Sequence, residues 1–263
     1  MRINRILGLL LALCSAPLFA AGAKVHLMQS GANISDQASL QRGAGLYFSY
    51  CASCHSLQYM RYSRMAQDLG LTEAQVMESL AFPGAKFGDT IVNAMPAGAG
   101  DKLVGGEDWF GKAPPDLSLT ARVRGKDWIY TYLMSFYPDP TRPAGWNNVV
   151  FPNASMPHVM WDRQGIQHAN FVDMEKNEKG EDLPCKHGEV NGRCFESFEL
   201  AKPGTRSAEE YAQDARDLEA FLQYVGEPAA LLREKYGLWV ILYLLLFTGF
   251  AYMLKAEYWR DVH

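Results

Sequence analysis

Seventeen consecutive residues, LWVILYLLLFTGFAYML at 238–254, carry no charged side chain. Inside a hydrocarbon layer every backbone N–H and C=O needs an internal partner, so such a run is restricted to a helix. At ~1.5 Å per residue it is ~25 Å long, slightly short of the ~30 Å hydrocarbon thickness. Tyr236 and Gly237 extend it on one side. On the other, Lys255 can reach the headgroup layer that suits Tyr258 and Trp259. A core helix of a soluble domain would carry a polar stripe that this run lacks. One membrane span is therefore expected over 236–255, followed by a tail at 256–263.

The opposite end, MRINRILGLLLALCSAPLFAAGA, sets Arg2 and Arg5 before an apolar run over 6–13 and small residues over 20–23. That order reads as a secretory signal peptide, 1–21. Cys14 follows the bulky Leu13 rather than a small residue, so it leaves with the leader and is not a lipid-attachment site. A cleaved signal exports everything up to the next stop-transfer segment. The body, 24–233, is thus expected outside the cytoplasmic membrane, held to it by the span, with the tail in the cytoplasm. Flanking charge does not decide this, because Arg233 and Lys235 sit at one end of the span and Lys255 and Arg260 at the other. A net charge of −4 without a basic block gives no footprint for nucleic acid.

Within the body, Leu40, Gly43, Ala44, Tyr47, Phe48 and Cys51 recur at helical spacing. LTEAQVMESLAF reads as a second helix, capped by Thr72 with Gln75 three residues on. Over 82–157 glycine and proline recur every few residues and no strand alternation is convincing, so ordered loops are expected there. One helix, over 121–136, interrupts them after PPDLS. Another opens at Ser207 with Glu210 completing a capping box, and its apolar face is Tyr211, Leu218, Phe221, Leu222 and Val225. Pro228 then starts a helix that can continue into the span. The fold class expected is mainly α, with long loops and one C-terminal transmembrane helix.

What the loops wrap is indicated by SYCASCHSLQYMRY, 49–62. In C-x-x-C-H the thiols of Cys51 and Cys54 lie about one helical turn apart, close enough to add to the two vinyl groups of one haem, while His55 reaches the iron. A thioredoxin-like pair would need a βαβ context, and a zinc site a second cysteine pair of suitable spacing; neither is recognisable in the sequence. The expectation is one covalent haem c in a c-type cytochrome domain. The sixth iron ligand stays open at this point: Met95 in NAMPAG and Met156 in NASMPH both precede proline, and Met160, His158 and His168 are further candidates. Methionine opposite histidine makes an electron carrier, whereas an empty position suits a peroxidase or ligand sensor.

The segments LQRGAGLYFSYCASCHSLQYMRY, APPDLSLTARVRG, FPNASMPHVMW and LEAFLQYVGEP, followed by the span, cover nearly the whole chain. Together they resemble the bacterial cytochrome c1 family, the haem subunits of the quinol:cytochrome c oxidoreductase (cytochrome bc1) complex. The resemblance implies that Met156 is the sixth ligand and that Met95 is not. It also implies that Arg124 lies near a haem propionate, where a charge-assisted donor is needed, and that Pro114 and Pro115 line the haem. His158 stands where many family members carry a second proline. The implied function is one-electron transfer from the Rieske iron–sulfur protein through the haem to a cytochrome c, beside cytochrome b in a dimeric complex. As a carrier the chain needs no general base or nucleophile. Rival readings are a free-standing membrane-anchored cytochrome feeding an oxidase, a five-coordinate peroxidase or sensor, and a purely structural subunit.

Cys185 and Cys194 remain, nine positions apart in an exported domain, and are expected to form a disulfide. Around them, 173–199 holds eight carboxylates against four Lys or Arg. That is either a docking surface for a basic cytochrome or a solvated loop.

Overall fold

The structure, a computed structural model, describes residues 25–93, 95, 110 and 112–260. The expected leader and the last three residues of the expected tail lie outside the described residues.

The body is built on two crossing helices, α1 (Gln37–Leu46) and a long helix near its other end, Ala208–Gly226. Asp36 caps α1 by accepting from Ser39 N, and a π-helical turn (Tyr47–Cys51) carries the chain onward. Then come β1 (Leu57–Arg61), α2 (Tyr62–Leu69) and α3 (Glu73–Ser79). Gly70 ends α2 in a left-handed conformation, φ 66°, that a side chain would resist. Thr72 and Gln75 form the capping box of α3. β2 (Thr90–Ile91) returns antiparallel to β1.

The single helix expected over 121–136 is two: α4 (Thr120–Arg124) and α5 (Lys126–Met134). Gly125, at φ 87°, breaks the helix between them. The stretch expected to be loop also contains a short hairpin, β3 (Phe136–Pro138) with β4 (Trp146–Asn148). α6 (Trp161–Gln164) leads into a three-stranded antiparallel ribbon of β5 (Gly165–Asp173), β6 (Glu189–Val190) and β7 (Arg193–Pro203), in the order β5-β7-β6. The acidic stretch 173–199 is thus ribbon and turn rather than simple loop. The ribbon's apolar residues rest on a small second core of Val25, Val149 and Val190 with Tyr137, Phe171, Phe195 and Phe198. Cys185 and Cys194 are joined by a disulfide that ties the turn before β6 to β7.

The long helix, α7 (Ala208–Gly226), carries the Ser207–Glu210 capping box and buries Tyr211, Leu218, Phe221, Leu222 and Val225 in the main core. Where it crosses α1, Gly43 has no side chain to hold the backbones apart, and a Cβ there would collide with the Asp217 carbonyl oxygen. The buried Asp217 carboxylate is satisfied by Arg42 (2.6 and 3.0 Å), Ser39 Oγ (2.6 Å) and Gln213 (2.8 Å). A buried charge is tolerable when its lone pairs are met in this way.

α8 (Ala230–Tyr258) contains the charge-free run, all of it exposed, with Ala230 the helix's only buried residue. Its first turn is fastened to the body. Glu227 binds both Arg122 and Arg233, and Ser35 Oγ donates to Glu234 at 2.7 Å.

Candidate haem site

Cys51 closes the π-helical turn, and its carbonyl accepts from both Cys54 N (3.0 Å) and His55 N (2.9 Å). The turn is thereby wound tightly enough to present both thiols and the imidazole together. The buried Tyr47 donates its phenol to the His55 carbonyl at 2.6 Å. The His55 ring is fixed from its other side, with Nδ1 2.7 Å from the carbonyl oxygen of Pro115. A carbonyl can only accept, so Nδ1 carries the proton and the lone pair of Nε2 is left for a metal. Burial lowers the His55 pKa against the opposing pull of that hydrogen bond, favouring the neutral, ligating form. Cys51 and Cys54 are free thiols, and burial pushes Cys51 up to about 12.

The residues directly after Pro114–Pro115 are laced to those after the motif by three hydrogen bonds. Leu117 N donates to Ser56 O (2.9 Å), Gln58 N to Asp116 Oδ2 (2.9 Å) and Tyr59 N to Ser118 Oγ (3.1 Å). Asn93 closes the other flank, through Nδ2 to Cys54 O and N to Ser56 Oγ, both 2.9 Å.

A second cluster gathers Arg124 and Met156. The Arg124 guanidinium lies 5.0 Å from the Trp128 ring centroid and 5.7 Å from that of Phe151. Trp128 stacks on Tyr132 (5.1 Å, 8°), and the Tyr132 hydroxyl donates to Met156 Sδ at 3.4 Å. Two buried amides hold the methionine loop in place. Asn148 Oδ1 accepts from Val150 N and Phe151 N while its Nδ2 donates to Tyr132 O, and Asn147 Oδ1 accepts from Asn153 N.

The other candidate ligands fall elsewhere. Met160 is buried in the main core, and His168 sits on β5 opposite Glu199. His158 is enclosed by aromatic rings, stacked on Phe136 at 4.9 Å and edge-on to Trp146 at 5.3 Å. Burial drops its pKa to about 4. Met95 stays near the motif, with its N–H donating to Asn93 Oδ1 at 3.3 Å, but most of its loop lies outside the described residues. Asn93, Tyr132 and the Asn147–Asn148 pair were not singled out from sequence, and Tyr47 only as part of a helix face; an Asn-Asn pair between aromatic and aliphatic residues was the only available hint.

Two thiols on one turn and an imidazole whose Nδ1 is bound elsewhere are a donor set suited to a c-type haem. Such a motif on a mainly α domain, with one apolar helix at the C-terminus, defines a membrane-anchored c-type cytochrome. Comparison with known proteins narrows the class. The model of the Cytochrome C1 family matches residues 28–183 and 202–262. A cytochrome c1 of Allochromatium vinosum is 45% identical over 98% of both chains. A protein of Nitrosomonas europaea named ammonia monooxygenase gamma subunit is 39% identical over 97% of both. A cytochrome b/c1 of Bradyrhizobium diazoefficiens is 27% identical over 87% of this chain and 34% of that protein. The chain belongs to the cytochrome C1 family, and is thus a haem-containing, membrane-anchored electron-transfer subunit in the context of a bc1 complex.

Proposed function

We propose that this chain accepts one electron from the Rieske iron–sulfur protein and delivers it to a cytochrome c, as the cytochrome c1 subunit of a respiratory bc1 complex. The observation that carries the proposal is the His55 Nδ1 contact to Pro115 O at 2.7 Å, which leaves the Nε2 lone pair for a metal beside Cys51 and Cys54. Those two cysteines would hold one haem by thioether bonds, and His55 and Met156 would ligate its iron. When bound, the haem supplies the one-electron redox centre. Arg124 would meet a propionate, and Pro114 and Pro115 would line one face. The protein's own part would be to hold both iron-binding donors in place, which would keep oxygen and peroxide from the metal.

The leader at 1–21 exports the body, 24–233, to the periplasm, the span at 236–255 holds it in the bacterial inner membrane beside cytochrome b, and the tail at 256–263 stays in the cytoplasm. The Arg122–Glu227–Arg233 contacts fix the body to its anchor, which supports a defined placement over the membrane. The acidic ribbon supplies the charge to attract a basic cytochrome c, and the whole assembles as a dimeric complex.

Purification from membranes under mild detergent tests the reading. Co-purification of cytochrome b and the Rieske protein, with quinol-driven reduction of the c-type haem that is lost in His55→Ala, is the expected result. Association with monooxygenase subunits instead would favour the role named for the Nitrosomonas relative. Reduction by an oxidase-linked donor without either partner would favour a free-standing cytochrome.

A further inference from the structure

The Tyr132 hydroxyl has one hydrogen-bond partner among the described residues, Met156 Sδ, at 3.4 Å. A thioether sulfur has no proton, so the phenol is the donor. Sulfur offers two lone pairs, and giving one to Tyr132 leaves the other for a metal. The donor is not free to swing. Its ring is stacked on Trp128 (5.1 Å, 8°) and set edge-on against Phe136 (4.9 Å, 70°). Its carbonyl accepts from Asn148 Nδ2 at 2.8 Å. Asn148 also holds the backbone of Val150 and Phe151 through Oδ1. Donor and sulfur are therefore fixed relative to one another through a buried amide, on α5 and on the loop leading to Met156.

We propose that Tyr132 is a positioning residue that tunes the reduction potential of this protein through its hydrogen bond to Met156. The inference rests on Met156 being the sixth ligand. A hydrogen bond on the sulfur withdraws electron density and makes the thioether a weaker donor. The ferric iron needs that donation more than the ferrous iron, so the bond favours the reduced form and raises the potential. Tyr132→Phe keeps the ring, its stacking on Trp128 and the backbone contact to Asn148, and removes only the hydroxyl.

The test uses the full-length, haem-loaded protein in detergent, as wild type, Tyr132→Phe and Met156→Leu. Three quantities are read: an equilibrium redox titration, the weak long-wavelength ferric absorption that reports sulfur ligation, and the melting temperature. Met156→Leu is expected to lose the ferric band. Tyr132→Phe is expected to keep the band and to lower the ferrous-to-ferric ratio at fixed ambient potential by roughly three- to tenfold, the scale of one modest hydrogen bond. At ~59 mV per tenfold for one electron, that is ~30–60 mV downward. A Tyr132→Phe protein with the band retained and the potential unchanged or raised would overturn the inference, because a packing role alone would leave the potential where it was. If Met156→Leu keeps the band, the ligand assignment has failed instead, and the inference falls with it for a separately visible reason.

Discussion

Replacing Glu219 by Gln isolates one carboxylate whose protonation is coupled to folding. Glu219 lies on α7, is fully buried, and has no hydrogen bond of good geometry to either side-chain oxygen. Burial lifts its pKa from 4.5 to about 7, with Lys126 and Ser30 pulling the other way and Asp127 adding to the rise. Between pH 4.5 and 7 the folded chain therefore holds a proton that the unfolded chain has released, and stability falls as pH rises. At ~1.36 kcal/mol per pH unit the loss is about 3 kcal/mol, complete once the pH passes 7. Glu219→Gln is permanently neutral and avoids that loss. Unfolding of the haem-loaded protein in detergent, followed by circular dichroism from pH 4.5 to 8, should show the variant gaining on wild type up to pH 7 and then holding a constant lead. The buried His158, whose pKa burial drops to about 4, is common to both proteins and cancels in the difference. A difference that stays flat across the range would refute the reasoning, since it would mean that the folded carboxylate is ionised throughout.

Three other perturbations test separate parts of the structure. Gly43→Ala should cost at least about 2 kcal/mol in unfolding experiments, because the added methyl meets the backbone of Asp217 and lies 2.7 Å from Phe221 Cβ, forcing α1 away from α7. Replacing Cys185 and Cys194 by Ser opens a loop with a sequence separation of 9, for which chain entropy gives about 2–3 kcal/mol; faster proteolysis between the two positions would register the loss. Glu196→Lys with Glu199→Lys, both exposed on β7, should slow reduction of a basic cytochrome c several-fold at low salt and flatten its salt dependence in stopped-flow experiments.

Sequence was most informative where local chemistry alone decides structure. The capping boxes at Thr72 and Ser207, the face of α1 and the unbroken apolar run are each set by neighbours within a few residues, and α3, α7, α1 and α8 formed accordingly. Gly125 was visible but ambiguous, since a glycine inside a helical pattern either is tolerated or, as here at φ 87°, ends the helix. The ribbon escaped notice because most of β7 is exposed, so its strands show little apolar alternation, and their cover, Val25 and Val149, comes from distant parts of the chain. The site divides in the same way. Cys51, Cys54 and His55 announce themselves by spacing, but the group that orients His55 is a backbone carbonyl, which no side-chain pattern can reveal. Tyr132 and Asn148 depend on a loop folding back across more than a dozen residues and carry no local signal.

Carbon monoxide tests whether both axial positions are filled by this chain. The full-length protein, reduced at neutral pH, is exposed to the gas beside Met156→Leu and Met95→Leu, and the visible spectrum is followed. Wild type and Met95→Leu should remain unchanged while Met156→Leu forms an adduct, as required of a closed electron carrier ligated by His55 and Met156. Rapid binding by wild type would contradict the account and put ligand-binding or peroxidase chemistry in its place; an adduct in Met95→Leu alone would move the sixth ligand to the other methionine.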